Sequence, residues 1–341
     1  MPPPQPEPNP EEDSLPLDHS HILLTSFNSF LTVAIHNILY YRNIYPPATF
    51  LSTKAYNLPV HQNRHPKVCA WIRDAVDAVA AQLATGHVSC VAIVIHAPLE
   101  PSLPTHHHPS PSQSQSSPTT TPSQSPQPAI PPGAVLERWL IDTSRFPTWP
   151  STTGTTTTNT PGTTNPTNTP SNSSSSSKNM RDFARVLARD ARSEEARERH
   201  LGADAGNPGL GWPDLDEQLR GALRRMASVA EGMGPLPFSG GDVGGGSSGC
   251  TFTVAVELGE EGRAPIGHPQ AWIPSEPNLQ PKGRGREVDG EDIGGVRTRP
   301  IRAVEAGPLF FECWVEESKA KETLMKMAEG PGQSQGSTQP F

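Results

Sequence analysis

The stretch that most constrains this chain runs over residues 20–45, SHILLTSFNSFLTVAIHNILYYRNIY. Leu23, Phe27, Phe30, Leu31, Ala34, Ile35, Ile38 and Leu39 recur in steps of three and four, which is the helical period. Asp18 or Ser20 supplies an oxygen for an orphan N–H at the start. Pro46 and Pro47 forbid continuation at the other end. The pattern predicts a helix of about 24 residues, roughly 36 Å long. Ile22, Val33 and Tyr41 widen its apolar surface beyond one face, so it belongs in the middle of a domain. Asn28, His36, Asn37 and Arg42 interrupt it, which excludes a membrane span.

The remainder cannot all fold around that helix. Of 341 residues, 40 are Pro and 29 Gly, and only 33% are hydrophobic. Long Pro/Ser/Thr tracts lack the apolar surface needed to offset ordering entropy. We expect one domain over 18–318, with disordered inserts at about 98–132, 147–178 and 282–297 and disordered tails at 1–17 and 319–341. The net charge of −8 argues against a general nucleic-acid binder. The opening MPPPQPEPNPEED has neither a basic start nor an apolar core, so it is no secretory signal. Cys69, Cys90, Cys250 and Cys313 lie far apart, which fits reduced thiols better than disulfides or a zinc site.

Taken in order, the central helix is followed by 50–66, which has loop and short-strand character. A second helix starts at Pro66, with a stripe from Val68 to Leu83 and Gly86 at the C-cap position. The run 88–97, VSCVAIVIHA, is β-branched and reads as a buried strand, and 134–142 as its antiparallel neighbour across an overgrown hairpin loop. A charged helix is expected over 178–202 and a third core helix over 212–233, through Leu215, Leu219, Leu223, Met226 and Val229. A strand at 250–258 comes next, and 298–317 holds one or two more. Helices beside an antiparallel sheet make this an α+β chain, with three core helices on one face.

That order, together with FLTVAIHNILYYRNIYP, AYNLPVHQNRHP, WIRDAVDAV, GCTFTVAVEL and the WVEE ending, resembles the HORMA-domain family. Within the family the likeness leans toward the non-catalytic subunit of translesion DNA polymerase zeta. It covers 20–97, 134–146, 213–258 and, more weakly, 268–317. The resemblance implies a binding device. A partner's peptide adds a strand to the sheet, and a C-terminal safety belt wraps over it. It places Trp71 on the second helix and Trp272 near the belt as peptide contacts, and Trp314 where relatives carry tyrosine. Glu312 stands where relatives carry glutamine and lacks the amide donor, and Pro300 and Ile301 match the belt's apolar stretch. Arg220, Arg224 and Arg225 share the helix whose arginine the family uses for pairing HORMA domains, as a homodimer or heterodimer. The implied partners are the catalytic subunit of DNA polymerase zeta and a deoxycytidyl-transferase translesion polymerase. The implied setting is the nucleus, and also the cytoplasm.

Plainer readings stand beside these. A tryptophan at helical spacing is more often core than contact. The same three arginines also fit a solvated helix face, and Trp139 and Trp149 read as structural. His106 to His108 sit in a Pro/Ser-rich tract without a carboxylate or thiol, so no metal site is assigned. The glycine run at 240–249 lacks the GK[ST] ending of a phosphate loop. Arg284, Arg286, Arg297, Arg299 and Arg302 interleave with Asp289, Glu291 and Asp292, as in a solvated loop. An α+β enzyme is the competing class. No Ser/His/Asp set, HExxH or dinucleotide fingerprint supports it, and no cofactor is implied. A spindle-checkpoint or meiotic-axis adaptor is the alternative within the binding class.

Overall fold

The computed structural model describes residues 15, 17–99, 130–147, 149, 212–234, 236, 249–259 and 272–329 except 284. The expected helix at 178–202, the histidine run at 106–108 and the glycine run at 240–248 lie outside these residues. Helix α1 spans Leu17–Tyr41. Every residue of its predicted stripe is no more than 1% exposed. By length and composition α1 passes for a membrane span, but most of its surface is buried inside the protein. Phe27 and Phe30 each put their rings 5.4 Å from Phe311 on the sheet. Their spacing of three is what sets both rings on one side of the helix.

The polar residues that interrupt α1 receive the next element. Strands β1 (Phe50–Ala55) and β2 (Leu58–Asn63) form a hairpin. Its turn residues Tyr56 and Asn57 both have positive φ, 51° and 56°, the mirror-image turn that suits strand twist. The amide of His61 donates to Asn37 Oδ1 at 2.9 Å, and the amide of Asn63 donates to His36 Nδ1 at 3.3 Å. Tyr40 stacks on His61 with centroids 3.5 Å apart. Burial pushes His36 down to about 4, consistent with a neutral ring whose Nδ1 accepts.

Helix α2 covers Pro66–Leu83, with the proline in its first turn. Strands β3 (Val88–His96) and β4 (Val135–Asp142) pair antiparallel. The overgrown hairpin is closed at its root by Ala97 N–H to Ala134 O, 2.7 Å, and Gly133 N–H to Pro98 O, 3.3 Å. Helix α3 is Trp212–Gly232, followed by β5 (Thr251–Leu258), β6 (Arg297–Ala306) and β7 (Leu309–Glu317). The five-stranded sheet runs β5-β3-β4-β7-β6, antiparallel throughout. Its first face meets α1, α2 and α3 through Val91, Ile93, Trp139, Ile141, Phe311 and Val315. The second face carries a smaller cluster of Cys90, Ala92, Val94, Val135 and Leu140.

Two expectations are corrected. The composition of 319–341 predicts a disordered tail, yet Lys319–Glu329 form helix α4. Its first turn is fixed by Ser318, whose amide donates to Leu136 O at 3.0 Å, and by the buried Lys321. The expected insert at 282–297 is instead an ordered loop, held by backbone hydrogen bonds to 278–280 and to Glu317.

One buried charge cluster joins the layers. Glu137 of β4 is fully buried. It accepts from Arg42 Nε at 3.0 Å, Arg42 Nη2 at 2.6 Å, Lys321 Nζ at 2.7 Å and Trp139 Nε1 at 3.1 Å. Arg42 Nη1 spends its remaining donors on Ala230 O and Gly234 O at the end of α3. Burial raises the Glu137 carboxyl, but Arg42 and Lys321 outweigh it and leave the group below the usual carboxylate range.

Candidate peptide-binding edge and its strap

Strand β5 is an edge strand, hydrogen-bonded to β3 on one side only. Its outer row of amides and carbonyls faces away from the sheet, with no strand among the described residues to receive them. Alternation sends Phe252, Val254, Val256 and Leu258 toward the helices and Ala255 toward the second face. Beside this edge stands an aromatic group. Trp71 of α2 meets Phe252 edge-on at 4.8 Å, and Tyr45 meets the same ring at 6.4 Å. Trp71 is 45% exposed, far more than a core tryptophan. Burial lifts the Tyr45 hydroxyl above its usual range, so it stays protonated as a donor.

From the last residue of β5 the chain must reach β6, on the opposite edge of the sheet. Its described part, 272–296, forms a strap. Trp272 packs against the main core, and Leu279 packs on the second face with Ala255 and Trp314. The strap is tied to itself by Gly290 N–H to Gln280 O at 2.9 Å, Asp292 N–H to Asn278 O at 3.1 Å and Lys282 N–H to Asp289 Oδ1 at 2.8 Å. Gly290 is needed there, because a Cβ would overlap Asn278 O. Arg138 of β4 anchors the strap to the sheet. It reaches Asp292 O at 3.4 Å while pairing with Glu316 at 3.1 Å and Glu257 at 3.0 Å. Glu316 also accepts from Gly294 N–H at 3.1 Å and Trp314 Nε1 at 3.0 Å. Burial raises the Glu257 and Asp292 carboxyls, and Arg138 opposes the rise in both.

The residues singled out from the sequence are not brought into one place. Trp71 lies at the β5 edge, and Trp272 lies on the main core. Trp314, Glu312, Pro300 and Ile301 lie on the β6–β7 hairpin, in the other half of the sheet. Three strand spacings, about 14 Å, separate β5 from β7. Ile301 is buried in the core and Pro300 is exposed. Glu312 is exposed and stands opposite Asp142 and Ala303. Arg220, Arg224 and Arg225 lie together on α3, beside β6.

Sequence reasoning missed Phe252, Tyr45, Arg138 and Glu316. Phe252 was visible as the one aromatic in the strand TFTVAVEL. Arg138 carried no signal, since its partners are 119 and 178 residues away.

An open edge strand flanked by aromatics and a strap crossing the opposite face are set in an α+β architecture, an antiparallel sheet with helices on one face. No protein-family model matches the chain. Among curated proteins it is similar to the DNA polymerase zeta processivity subunit of Schizosaccharomyces pombe, 44% identical over 69 residues, which cover 20% of this chain and 32% of that protein. It is also similar to the mitotic spindle assembly checkpoint protein MAD2B of Rattus norvegicus, 35% identical over 88 residues, covering 25% of this chain and 42% of that protein. The matched stretches thus span about a third to two fifths of these relatives' lengths. A solved mitotic checkpoint complex contains a chain with a TM-score of 0.44 and 12% identity over 88% of this chain and 96% of that one.

Proposed function

We propose that the protein is a non-catalytic HORMA adaptor that clasps a partner peptide as an added strand on β5, under the strap. The reading rests chiefly on one observation, the outer edge of β5, unpaired among the described residues, beside the half-exposed Trp71. Main-chain hydrogen bonds to β5 supply affinity, and the Trp71, Phe252 and Tyr45 rings supply side-chain selectivity. One relative's name, a DNA polymerase zeta processivity subunit, favours an accessory role with that polymerase; we place this role in translesion synthesis, in the nucleus and also the cytoplasm, as part of the proposal. The catalytic subunit's proline-containing linker is the proposed ligand, and a deoxycytidyl-transferase polymerase a second partner.

Titration calorimetry of the full chain with that linker peptide tests the reading. Trp71→Ala is expected to weaken binding about 30-fold, the effect of losing roughly 2 kcal/mol at an aromatic anchor. Undiminished binding removes Trp71 from the site, and no binding by the unaltered protein removes the proposed ligand.

A further inference from the structure

The other edge of the sheet carries a different feature. Helix α3 packs along β6, and with Leu58 of β2 the two line an open cavity of about 610 Å³. Four arginines line it, Arg220, Arg224 and Arg225 from the helix and Arg302 from the strand, against Glu217 as the only lining carboxylate among the described residues. In a chain of net charge −8, this concentration of one sign runs against the overall composition.

The arrangement is built rather than incidental. Gly221 sits in the middle of α3, where glycine costs about 1 kcal/mol relative to alanine. Its missing side chain leaves the space that the Arg302 guanidinium fills, since a Cβ there would overlap Nη1. Arg302 is steered into that space by Gln218 Oε1, which accepts from Nη2 at 2.7 Å, and by Ala303 O, which accepts from Nε at 3.3 Å. Arg220 pairs with Glu217 one turn back. Arg224 and Arg225 are exposed and have no carboxylate partner among the described residues. Arg220 and Arg224 are four residues apart, so they project from one helix face toward Arg302.

We propose that this cavity binds a phosphoryl group carried on a phosphoserine- or phosphothreonine-containing peptide of a partner. Several forked guanidinium groups converging on one concavity match the acceptor oxygens of a phosphate dianion. At about 610 Å³ the cavity has room for a phosphorylated side chain together with its flanking residues. It lies four strand spacings, about 19 Å, from the β5 edge, so a peptide clasped there leaves it open. The site therefore stands whether or not the clasp does.

Fluorescence anisotropy of the full chain tests this, with a peptide pool fixed at a central phosphoserine and its unphosphorylated twin. The phosphorylated pool is expected to bind at least tenfold tighter. Arg224→Glu with Arg225→Glu is expected to abolish that difference, and because both side chains are exposed the melting temperature stays unchanged. Gly221→Ala, which displaces Arg302, is expected to reduce the difference severalfold. Equal binding of the two pools, or no binding, overturns the proposal. So does retention of the difference in the double variant. Competition by inorganic phosphate alone at millimolar levels, without peptide preference, marks a free-anion site and also overturns it. Tighter binding of a single-stranded oligonucleotide than of the phosphopeptide pool assigns the cavity to nucleic acid instead.

Discussion

Glu137 shows how much one residue can determine. A carboxylate with no exposure survives only if its lone pairs are filled, and here two cations and an indole fill them. The partners come from the residue just after α1, from β4 and from α4, so the cluster fixes where the C-terminal helix sits. Glu137→Gln keeps the shape but faces Arg42 and Lys321 with a neutral amide. We expect a loss of about 3–5 kcal/mol in denaturant unfolding, the usual cost of breaking a buried pair from one side. The pH dependence comes from the lowered Glu137 value. The unfolded carboxyl titrates near 4.3 and the folded one below it. Its stabilisation is therefore complete above about pH 4.3 and disappears as pH falls through the folded value. The Gln variant lacks that part of the acid sensitivity, which acid-unfolding curves of the two proteins will show.

The elements were legible to the degree that their signal is local. The α1 stripe predicted burial residue by residue, because a period of three and four is a property of neighbours. The β3–β4 pairing was legible across its long loop for the same reason, since each strand declares itself by β-branched residues. Helix α4 was not, because its lysine anchor pairs with Glu317 nearby but is buried by its second carboxylate, Glu137, 184 residues away. The strap was not legible either. Its order comes from backbone bonds between 278–282 and 286–292, which a Gly/Arg-rich composition conceals. The candidate site was half legible. Trp71 was found by position, whereas Phe252 and the Arg138 anchor needed the sheet order. If the strap's order rests on the close approach of Gly290 to Asn278, Gly290→Ala pushes the two segments apart. Faster amide exchange is expected over 278–294, together with a shift of Trp314 fluorescence as Leu279 lifts away. Exchange in β3 and β4 stays as it was. Unaltered protection of the strap contradicts this account of its order.

At the scale of the whole molecule, the two halves of the sheet are joined by the β3–β4 hairpin, and 100–129 intervene between its strands. The register from Cys90↔Asp142 to His96↔Val135 is set before that segment is reached. The hairpin root is then closed by the Ala97–Ala134 and Gly133–Pro98 bonds. Leu99, where the segment departs, is itself exposed, so the core is already complete at that point. We expect the segment's energetic role in folding to be confined to loop closure, which grows only with the logarithm of length. Replacing these thirty residues with four of Gly/Ser shortens the loop inside the Gly133–Pro98 bond about fourfold and relieves about 1.3 kcal/mol of closure entropy. The shortened protein is expected to unfold at the same or higher denaturant concentration, with the same steepness and the same peptide affinity at β5. A midpoint lowered by more than the measurement error means that 100–129 contribute native contacts, and the sheet is then not self-sufficient at its central hairpin.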